Sequence, residues 1–295
     1  MIMKKILMLG ASHFQVPSIK KAKEMGYYVI TCDYLPDNPG HKFADEYHNV
    51  NTTDKDEVLE LAKRLSVYGI VCYASDPSAT TAAYVCEKMG FPTSPYKSVE
   101  ILSNKDMFRD FLRKNGFIVP KAKGFSTFEE ARNDFKNFKM PVMIKPVDSS
   151  GSKGVSKIDS VHELEYSVIS ALKYSRVKRF IIEEYVDKYG YQIAGDGFSV
   201  NGKLAFRAFA NEHFEVNGIN PFVPIGESWP YNMPDRIQQK IHDEVQRLIT
   251  LLDMKTGAYN FDIRIDKDEN IIIMELGPRN GGNLIPQVTY YATGV

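Results

Sequence analysis

Two acidic side chains, Asp262 and Glu275, are placed by the sequence pattern to face each other across a pair of strands. The segments 258–266 and 270–276 alternate apolar and polar residues around a short turn. Pairing position 265 with 272, and 263 with 274, gives one apolar face and sets the two carboxylates opposite each other on the other face. Directly opposed carboxylates destabilise a sheet. A divalent cation removes that repulsion, and hard oxygen ligands suit Mg²⁺ or Mn²⁺.

The same residues allow a reading without a metal, in which the register slips or Arg264 and Arg279 form ion pairs with the carboxylates. Arg279 follows Glu275 by four residues and lies in a turn, 278–282, shaped by proline and glycine. An arginine held beside a cation suits phosphate binding. The turn is equally compatible with an ordinary surface position.

The glycine-rich stretch 144–155, "IKPVDSSGSKGV", has the composition of a phosphate-binding loop. Glycines tolerate positive φ and let backbone N–H groups approach an anion, and serine hydroxyls add donors. Lys145, on the preceding apolar strand, can direct a fixed cation toward the same anion. The candidate loop residues are Ser149, Ser150, Gly151, Ser152 and Gly154. A solvated hairpin turn is the alternative.

The stretch 180–186, "FIIEEYV", begins as an apolar strand that is broken by two glutamates, Glu183 and Glu184. The backbone donors and acceptors at such a strand end are free to meet a purine edge. A strand that simply leaves the core is the alternative.

A second nucleotide signal lies near the N-terminus, where Gly10 closes one strand and Asp33 closes the next. This is the layout of a dinucleotide fingerprint. However, Ser12 and Gln15 stand where the second and third glycines belong, so a structural or substrate-binding role is favoured over NAD(P) binding.

The elements that must position these residues follow two patterns. Residues 1–95 alternate short apolar strands with helices, which predicts a doubly wound parallel sheet. A helical linker is expected over 96–120, a small α+β lobe over 121–187, and a further lobe over 188–295. The last lobe opens with a hairpin at Asn201 and Gly202, followed by a long irregular stretch at 212–233 and a helix from Pro234 to about 253.

Composition excludes several classes of protein. Lys plus Arg and Asp plus Glu number 37 each, so no net charge favours nucleic acid or an anionic membrane. No apolar run is long enough to span a bilayer. The three cysteines have no CxxC spacing and are expected to be reduced core thiols of a cytoplasmic protein.

Taken in order, these motifs resemble the ATP-grasp superfamily. The resemblance covers essentially the whole chain: an α/β domain, a helix beginning "NKDMFRDFLRKNG", the lysine and glycine loop, "EEYV", and "FDIRID" followed by "IIIMELGPR". It implies an ATP-grasp fold of two α+β lobes after the N-terminal domain. The stretch "ELGPR" resembles the E-x-A-P-R motif of the carboxylate–amine ligases of purine synthesis.

The resemblance also implies roles for individual residues. Lys105 and Lys145 would contact ATP phosphates and the adenine edge, the glycine loop would cover the phosphates, and Asp262 and Glu275 would hold Mg²⁺. Arg279 would contact the phosphoryl group in transfer. Adenine would meet backbone groups of Glu183, Glu184, Tyr185 and Val186.

Two positions depart from the family pattern. Gln192 stands where a ribose-binding glutamate is common, and Gly277 stands where many relatives carry an asparagine ligand. Asn280 or Asn283 is expected to replace that ligand, unless two carboxylates suffice.

The implied reaction transfers the γ-phosphoryl group of ATP to a carboxylate, and an amine or similar nucleophile then displaces phosphate. An NAD(P)-dependent oxidoreductase, and a nucleotide-binding subunit that needs a partner, are the alternatives. A homodimer is also compatible with the sequence. The small-molecule substrates are expected between the N-terminal sheet and the 212–233 stretch, where Arg207, His213 and the segment 220–229 are candidates.

Overall fold

The computed structural model describes residues 3–215, 217–218 and 220–295. Its N-terminal domain is built on a parallel sheet of order β3-β2-β1-β4. The strands are β1 (Lys5–Leu9), β2 (Tyr28–Cys32), β3 (Glu46–His48) and β4 (Gly69–Cys72), and the helices are α1 (Val16–Glu24), α2 (Lys55–Leu65) and α3 (Asp76–Met89). Separate apolar clusters lie on the two faces. The predicted doubly wound sheet is therefore confirmed, while the short strand β3 was not predicted.

The linker contains two helices, α4 (Tyr96–Ser103) and α5 (Lys105–Lys114), where only the second was predicted. Asn104 between them has an extended backbone, which interrupts the helical ladder. Phe108 and Leu112 bury one side of α5. This packing fixes which way its first residue, Lys105, faces.

The small lobe carries an antiparallel sheet of order β5-β8-β6-β7. Its strands are β5 (Ala122–Phe125), β6 (Val142–Pro146), β7 (Ser156–Ile158) and β8 (Phe180–Glu184), and its helices are α6 (Phe128–Asp134) and α7 (Leu164–Tyr174). A capping box between Thr127 and Glu130 starts α6. Strands β6 and β7 pair directly, so the glycine loop connects two adjacent strands, as its sequence position predicted.

The large lobe carries an antiparallel sheet of order β11-β10-β9-β12-β13. The strands are β9 (Gln192–Val200), β10 (Lys203–Phe214), β11 (Pro224–Ser228), β12 (Gly257–Ile265) and β13 (Ile271–Gly277), and the helices are α8 (Asp235–Leu251) and α9 (Ile285–Thr293). Asn201 and Gly202 both have positive φ, as the predicted hairpin turn requires. The stretch expected to be irregular contains β11, and α9 was not predicted.

The pairing of β12 with β13 changes register once. Asp262 lies opposite Glu275, as predicted, but Ile263 pairs with Ile273 and Ile265 with Ile271. The predicted partners of positions 263 and 265 were therefore wrong by one residue. A β-bulge between Asp262 and Ile263 absorbs the difference, so both strands keep an apolar face toward the core.

Among the described residues, no helix combines the length and apolar character needed to cross a membrane. The three sheets fall in separate stretches of the chain, but the domain boundaries given above stay a prediction.

Candidate active site

The opposed carboxylates lie on the face of the large-lobe sheet that α8 does not cover. Asp262 Oδ1 is buried and has no hydrogen-bond partner among the described residues. Burial raises the pKa of Asp262; Glu275 adds to the rise and Arg264 opposes it. A buried carboxylate oxygen without a partner is costly. The pair therefore suits a divalent cation, which would relieve both the repulsion and the unpaired oxygen.

Neither arginine forms the ion pair that was the alternative reading. Arg264 donates to the side chain of Gln192 and to Val186 O, both at 2.7 Å. Glu275 instead pairs with Lys105, whose Nζ lies 3.0 Å from Oε2.

Lys105 reaches the site from the first turn of α5. Its Nζ also donates to Ser149 O at 3.0 Å, and its backbone N–H donates to Val147 O. Burial lowers the pKa of Lys105, but the attraction of Glu275 outweighs burial and the pKa rises. The lysine therefore stays charged between the glycine loop and the carboxylate pair.

Lys145 reaches the site from β6 and forms a close ion pair with Glu183 on the neighbouring strand β8. The second oxygen of Glu183 accepts a hydrogen bond from Arg109 Nε at 3.0 Å. Burial alone would raise the pKa of Glu183, but the two cations bring it down to about 2. The side chain of Glu183 is thus fully engaged, and its backbone lies within the sheet, between β5 and β6.

The other predicted adenine contacts lie where β8 ends. The N–H groups of Glu184 and Tyr185 donate to Lys121 O and Pro141 O, respectively. The carbonyl of Val186 accepts from Arg264. Several backbone groups of this segment are therefore already used within the fold.

Gln192 bridges two charged side chains. Its Nε2 donates to Glu212 Oε2, and its Oε1 accepts from Arg264 Nε, both at 2.7 Å. Burial, reinforced by Asp262, raises the pKa of Glu212 to about 8. The structure thus brings an acidic residue, Glu212, to the place where the sequence has only Gln192.

The glycine loop has the backbone that its sequence indicates, since Gly151, Ser152 and Gly154 have positive φ. Ser149 Oγ donates to Lys153 O at 2.8 Å, and Ser152 Oγ donates to Phe222 O at 2.6 Å. The loop therefore contacts the stretch that follows β10.

Arg279 lies next to the N-terminal domain. Its Nε and one terminal nitrogen donate to the two oxygens of Asp76, at 2.7 and 2.6 Å. Asn280 Oδ1 accepts from Ala74 N, and its Nδ2 donates to Gly281 O. Asn280 is thus engaged beside β4, and the site is completed from the N-terminal domain.

A cavity of about 200 Å³ lies between the N-terminal domain, the linker and the lobes. Its lining includes Asp76, Lys105, Ser149, Glu275 and Gly277. Three of the predicted phosphate and metal residues, Lys105, Ser149 and Glu275, therefore line this cavity.

Two residues that were candidates for the substrate site, Arg207 and His213, do not line this cavity. Arg207 neighbours His242 of α8 and lies over the ring of Phe209, which is on the core face of the sheet. Arg207 therefore lies on the face of the sheet that α8 covers, away from Asp262 and Glu275. His213 contacts Ser228 Oγ and the ring of Tyr191 at the sheet edge.

The dinucleotide signal has a structural explanation. Asp33 accepts hydrogen bonds from Ala11 N, Leu35 N and Asn38 Nδ2. Its carboxylate therefore shapes the turns after β1 and β2, which is the role that the sequence favoured over NAD(P) binding.

Sequence reasoning missed Arg109, Asp76 and Glu212. Each becomes important through a partner at least 20 residues away in sequence. The one available signal was an arginine on the apolar side of α5.

Comparison with known proteins identifies the family of the chain. The sequence model described as an ATP-grasp domain matches residues 138–287. The chain is 27 % identical over 285 residues to the formate-dependent phosphoribosylglycinamide formyltransferase of Prochlorococcus marinus, covering 94 % of this chain and 70 % of that protein. It is 24 % identical over 261 residues to the carbamoyl phosphate synthase large chain of Thermotoga petrophila, covering 87 % of this chain but only 23 % of that protein.

The fold is similar to the biotin carboxylase domain of the 2-oxoglutarate carboxylase of Hydrogenobacter thermophilus, crystallised with MgADP, ADP and bicarbonate. The TM-score is 0.80 at 17 % identity, and the match covers 100 % of this chain and 68 % of that one. This likeness concerns the fold alone. Because the family model spans just over half of the residues, the chain belongs to the ATP-grasp domain family, a family of ATP-dependent ligases.

Proposed function

We propose that the protein uses ATP and Mg²⁺ to activate a small-molecule carboxylate as an acyl phosphate, and joins it to an amine or similar nucleophile with release of ADP and phosphate. The observation that carries the proposal is the opposed Asp262 and Glu275, with one buried oxygen unpartnered, beside the charged Lys105. No feature of the described residues favours the oxidoreductase alternative.

Asp262 and Glu275 would hold the cation, with Asn280 or Asn283 as a further candidate ligand. When bound, Mg²⁺ would neutralise charge on the phosphates and on the phosphoryl group in transfer. Mn²⁺ fits the same oxygen ligands.

Three cations of the chain would bind and orient the phosphates. Lys105 and Lys145 face the site from α5 and β6, and Arg279 presents a planar guanidinium from the turn after β13. Phosphoryl transfer needs little covalent chemistry from a protein, so fixed positive charge is the main requirement. We assign Lys145 and Arg279 as the catalytic residues.

The glycine loop, with Ser149, Ser150, Gly151, Ser152 and Gly154, would cover the phosphates and exclude water. Closure of such a loop protects an acyl phosphate from hydrolysis. The backbone around Glu183, Glu184, Tyr185 and Val186 would meet adenine. The ribose hydroxyls would meet Gln192 together with Glu212, to which it is hydrogen bonded.

The substrates would enter the cavity between Asp76 and Glu275.

We place the protein in the cytoplasm, since all three cysteines are free thiols and burial raises the pKa of Cys32 and Cys72 to about 12. Whether it is active without a second protein is answered by the assay below.

The test is ADP formation and phosphate release over a panel of amino acids and small carboxylates. We expect ADP rather than AMP, dependent on Mg²⁺. Glu275→Gln should lower turnover at least ~100-fold, because it removes a ligand of the cation that would neutralise transition-state charge. Asp268→Asn, exposed at the tip of the same hairpin, is the matched control.

An unchanged rate in Glu275→Gln would overturn the metal assignment. Thermal stabilisation by NADH but not by Mg-ATP would favour the oxidoreductase. Activity that appears only after a second protein is added would favour the partner-dependent subunit.

A further inference from the structure

We propose that Arg109 is a positioning residue for the catalytic cation Lys145, acting through Glu183. The proposal rests on the function above in one respect, namely that Lys145 contacts the nucleotide phosphates. Arg109 itself lies too deep to touch a substrate, since it is only 4 % exposed.

The three side chains form a buried relay in which Glu183 has one cation on each oxygen. Arg109 Nε donates to Oε2 at 3.0 Å, and Lys145 pairs with Oε1. Glu183 is 1 % exposed, so water cannot substitute for either partner. The carboxylate can hold the lysine in one place only while its other oxygen is fixed.

The relay carries a net positive charge, although burial, with a further contribution from Arg109, lowers the pKa of Lys145. Two cations and one anion give a net charge of +1. Without Arg109, the buried Glu183 would depend on Lys145 alone, and the pair would be neutral. A buried carboxylate that loses a partner draws its remaining cation more tightly, and the ammonium would then be less available to phosphate.

Arg109 also links the elements that carry the other site residues. Its NH1 donates to Ile273 O at 3.3 Å, two residues before Glu275 on β13. It lies one turn after Lys105 on α5. One guanidinium thus connects the helix of Lys105, the strand pair of Lys145 and the strand of Glu275.

The experiment is a double-mutant cycle with Arg109→Met and Lys145→Met, read as the affinity for Mg²⁺ with a non-hydrolysable ATP analogue and, separately, as kcat. We expect Arg109→Met to weaken analogue binding about tenfold, the effect of losing one charged hydrogen bond. In the Lys145→Met background the same change should have almost no further effect. Additive losses would overturn the proposal.

Arg113→Met is the matched control, because Arg113 lies one turn further along α5, is exposed and, within the part of the chain that the structure describes, pairs with Asp110 alone. It should leave affinity unchanged. If Arg109→Met does not fold, Arg109→Lys replaces it in the cycle. That variant retains the charge but cannot reach both Glu183 and Ile273 O, so it should restore stability more than affinity.

The outcomes separate this proposal from the proposed function. Analogue binding with a coupled cycle, but no ADP from any substrate, would leave the relay standing and overturn the ligase. ADP formation with an additive cycle would do the reverse. Failure of the wild type to bind the analogue would overturn both.

Discussion

Glu227 lies on β11, opposite Glu212 on β10, and its Oε2 is buried with no hydrogen-bond partner among the described residues. Burial, with a contribution from Asp196, raises the pKa of Glu227 from 4.5 to about 7. Asp196 is itself shifted upward to a pKa of about 6 by burial, although Asn260 and Gly281 donate hydrogen bonds to it. These two buried carboxyl groups of the large lobe therefore keep their protons at a pH where an exposed carboxyl group would have lost its own.

The raised pKa of Glu227 makes the stability of the folded protein depend on pH. Between pH 4.5 and 7 the folded carboxyl keeps its proton while the unfolded one is ionised, so stability due to this group falls as pH rises. Glu227→Gln should reduce the fall in Tm across that window. Exposed Glu165→Gln on α7 is the control. Parallel Tm curves for wild type and Glu227→Gln would contradict the shift.

At the scale of elements, the glycine loop is anchored at one end. A Cβ on Gly154 would lie 2.9 Å from the ring of Tyr174 and 3.0 Å from Pro146, whereas nothing lies within 4 Å of a Cβ on Gly151. Both glycines have similar positive φ, +71° and +65°. The loop is thus pinned against α7 at Gly154, whereas nothing packs against it at Gly151.

This contrast predicts that glycine-to-alanine substitution lowers the free energy of unfolding less at position 151 than at position 154. Gly151→Ala should cost about 1 kcal/mol, the strain of an L side chain at positive φ. Gly154→Ala should add about 1–3 kcal/mol for the clash with packed atoms. Denaturant unfolding of the two variants measures the difference. Equal losses would show that the loop is not pinned at Gly154.

Some elements follow from local sequence and others do not. The hairpin of β12 and β13 was predicted because its alternation of apolar and polar residues is strict, and so Asp262 was correctly set opposite Glu275. The bulge beside Asp262 was missed, because both registers bury isoleucines equally well. Strand β11 was missed because its residues are mostly exposed and lack a period.

The site was predictable only where residues carry a motif. Lys145 was identified from the loop that follows it, but its partner Glu183 depends on the strand order β8-β6, which local patterns do not determine. Arg109 carries no motif, and its contacts span 74 and 164 residues of sequence.

At the scale of the whole molecule, the N-terminal domain contributes directly to the site. Asp76, at the start of α3, holds Arg279 with two hydrogen bonds. The side chain of Arg279 is 11 % exposed and that of Asp76 is 26 % exposed. Ala74 and Asn280 add a backbone contact beside them.

Asp76→Asn should therefore lower kcat by about tenfold or more, because the planar fork of Arg279 loses the carboxylate that orients it. Tm should fall as well, since a partly buried charge loses its partner. Asp110→Asn, which disturbs only the exposed pair with Arg113, is the control. An unchanged kcat would show that Arg279 is oriented without Asp76.

The contact between Asp76 and Arg279 spans 203 residues of sequence, so its two partners are synthesised at different times. Translation proceeds from the N-terminus, and domains generally fold as they emerge. The parallel sheet, whose strands end at Cys72, is complete long before residue 279 exists. During that interval Asp76 is without the guanidinium of Arg279 that it contacts in the folded protein. The pair of Asp76 and Arg279 can therefore form only after the turn that follows β13 has left the ribosome.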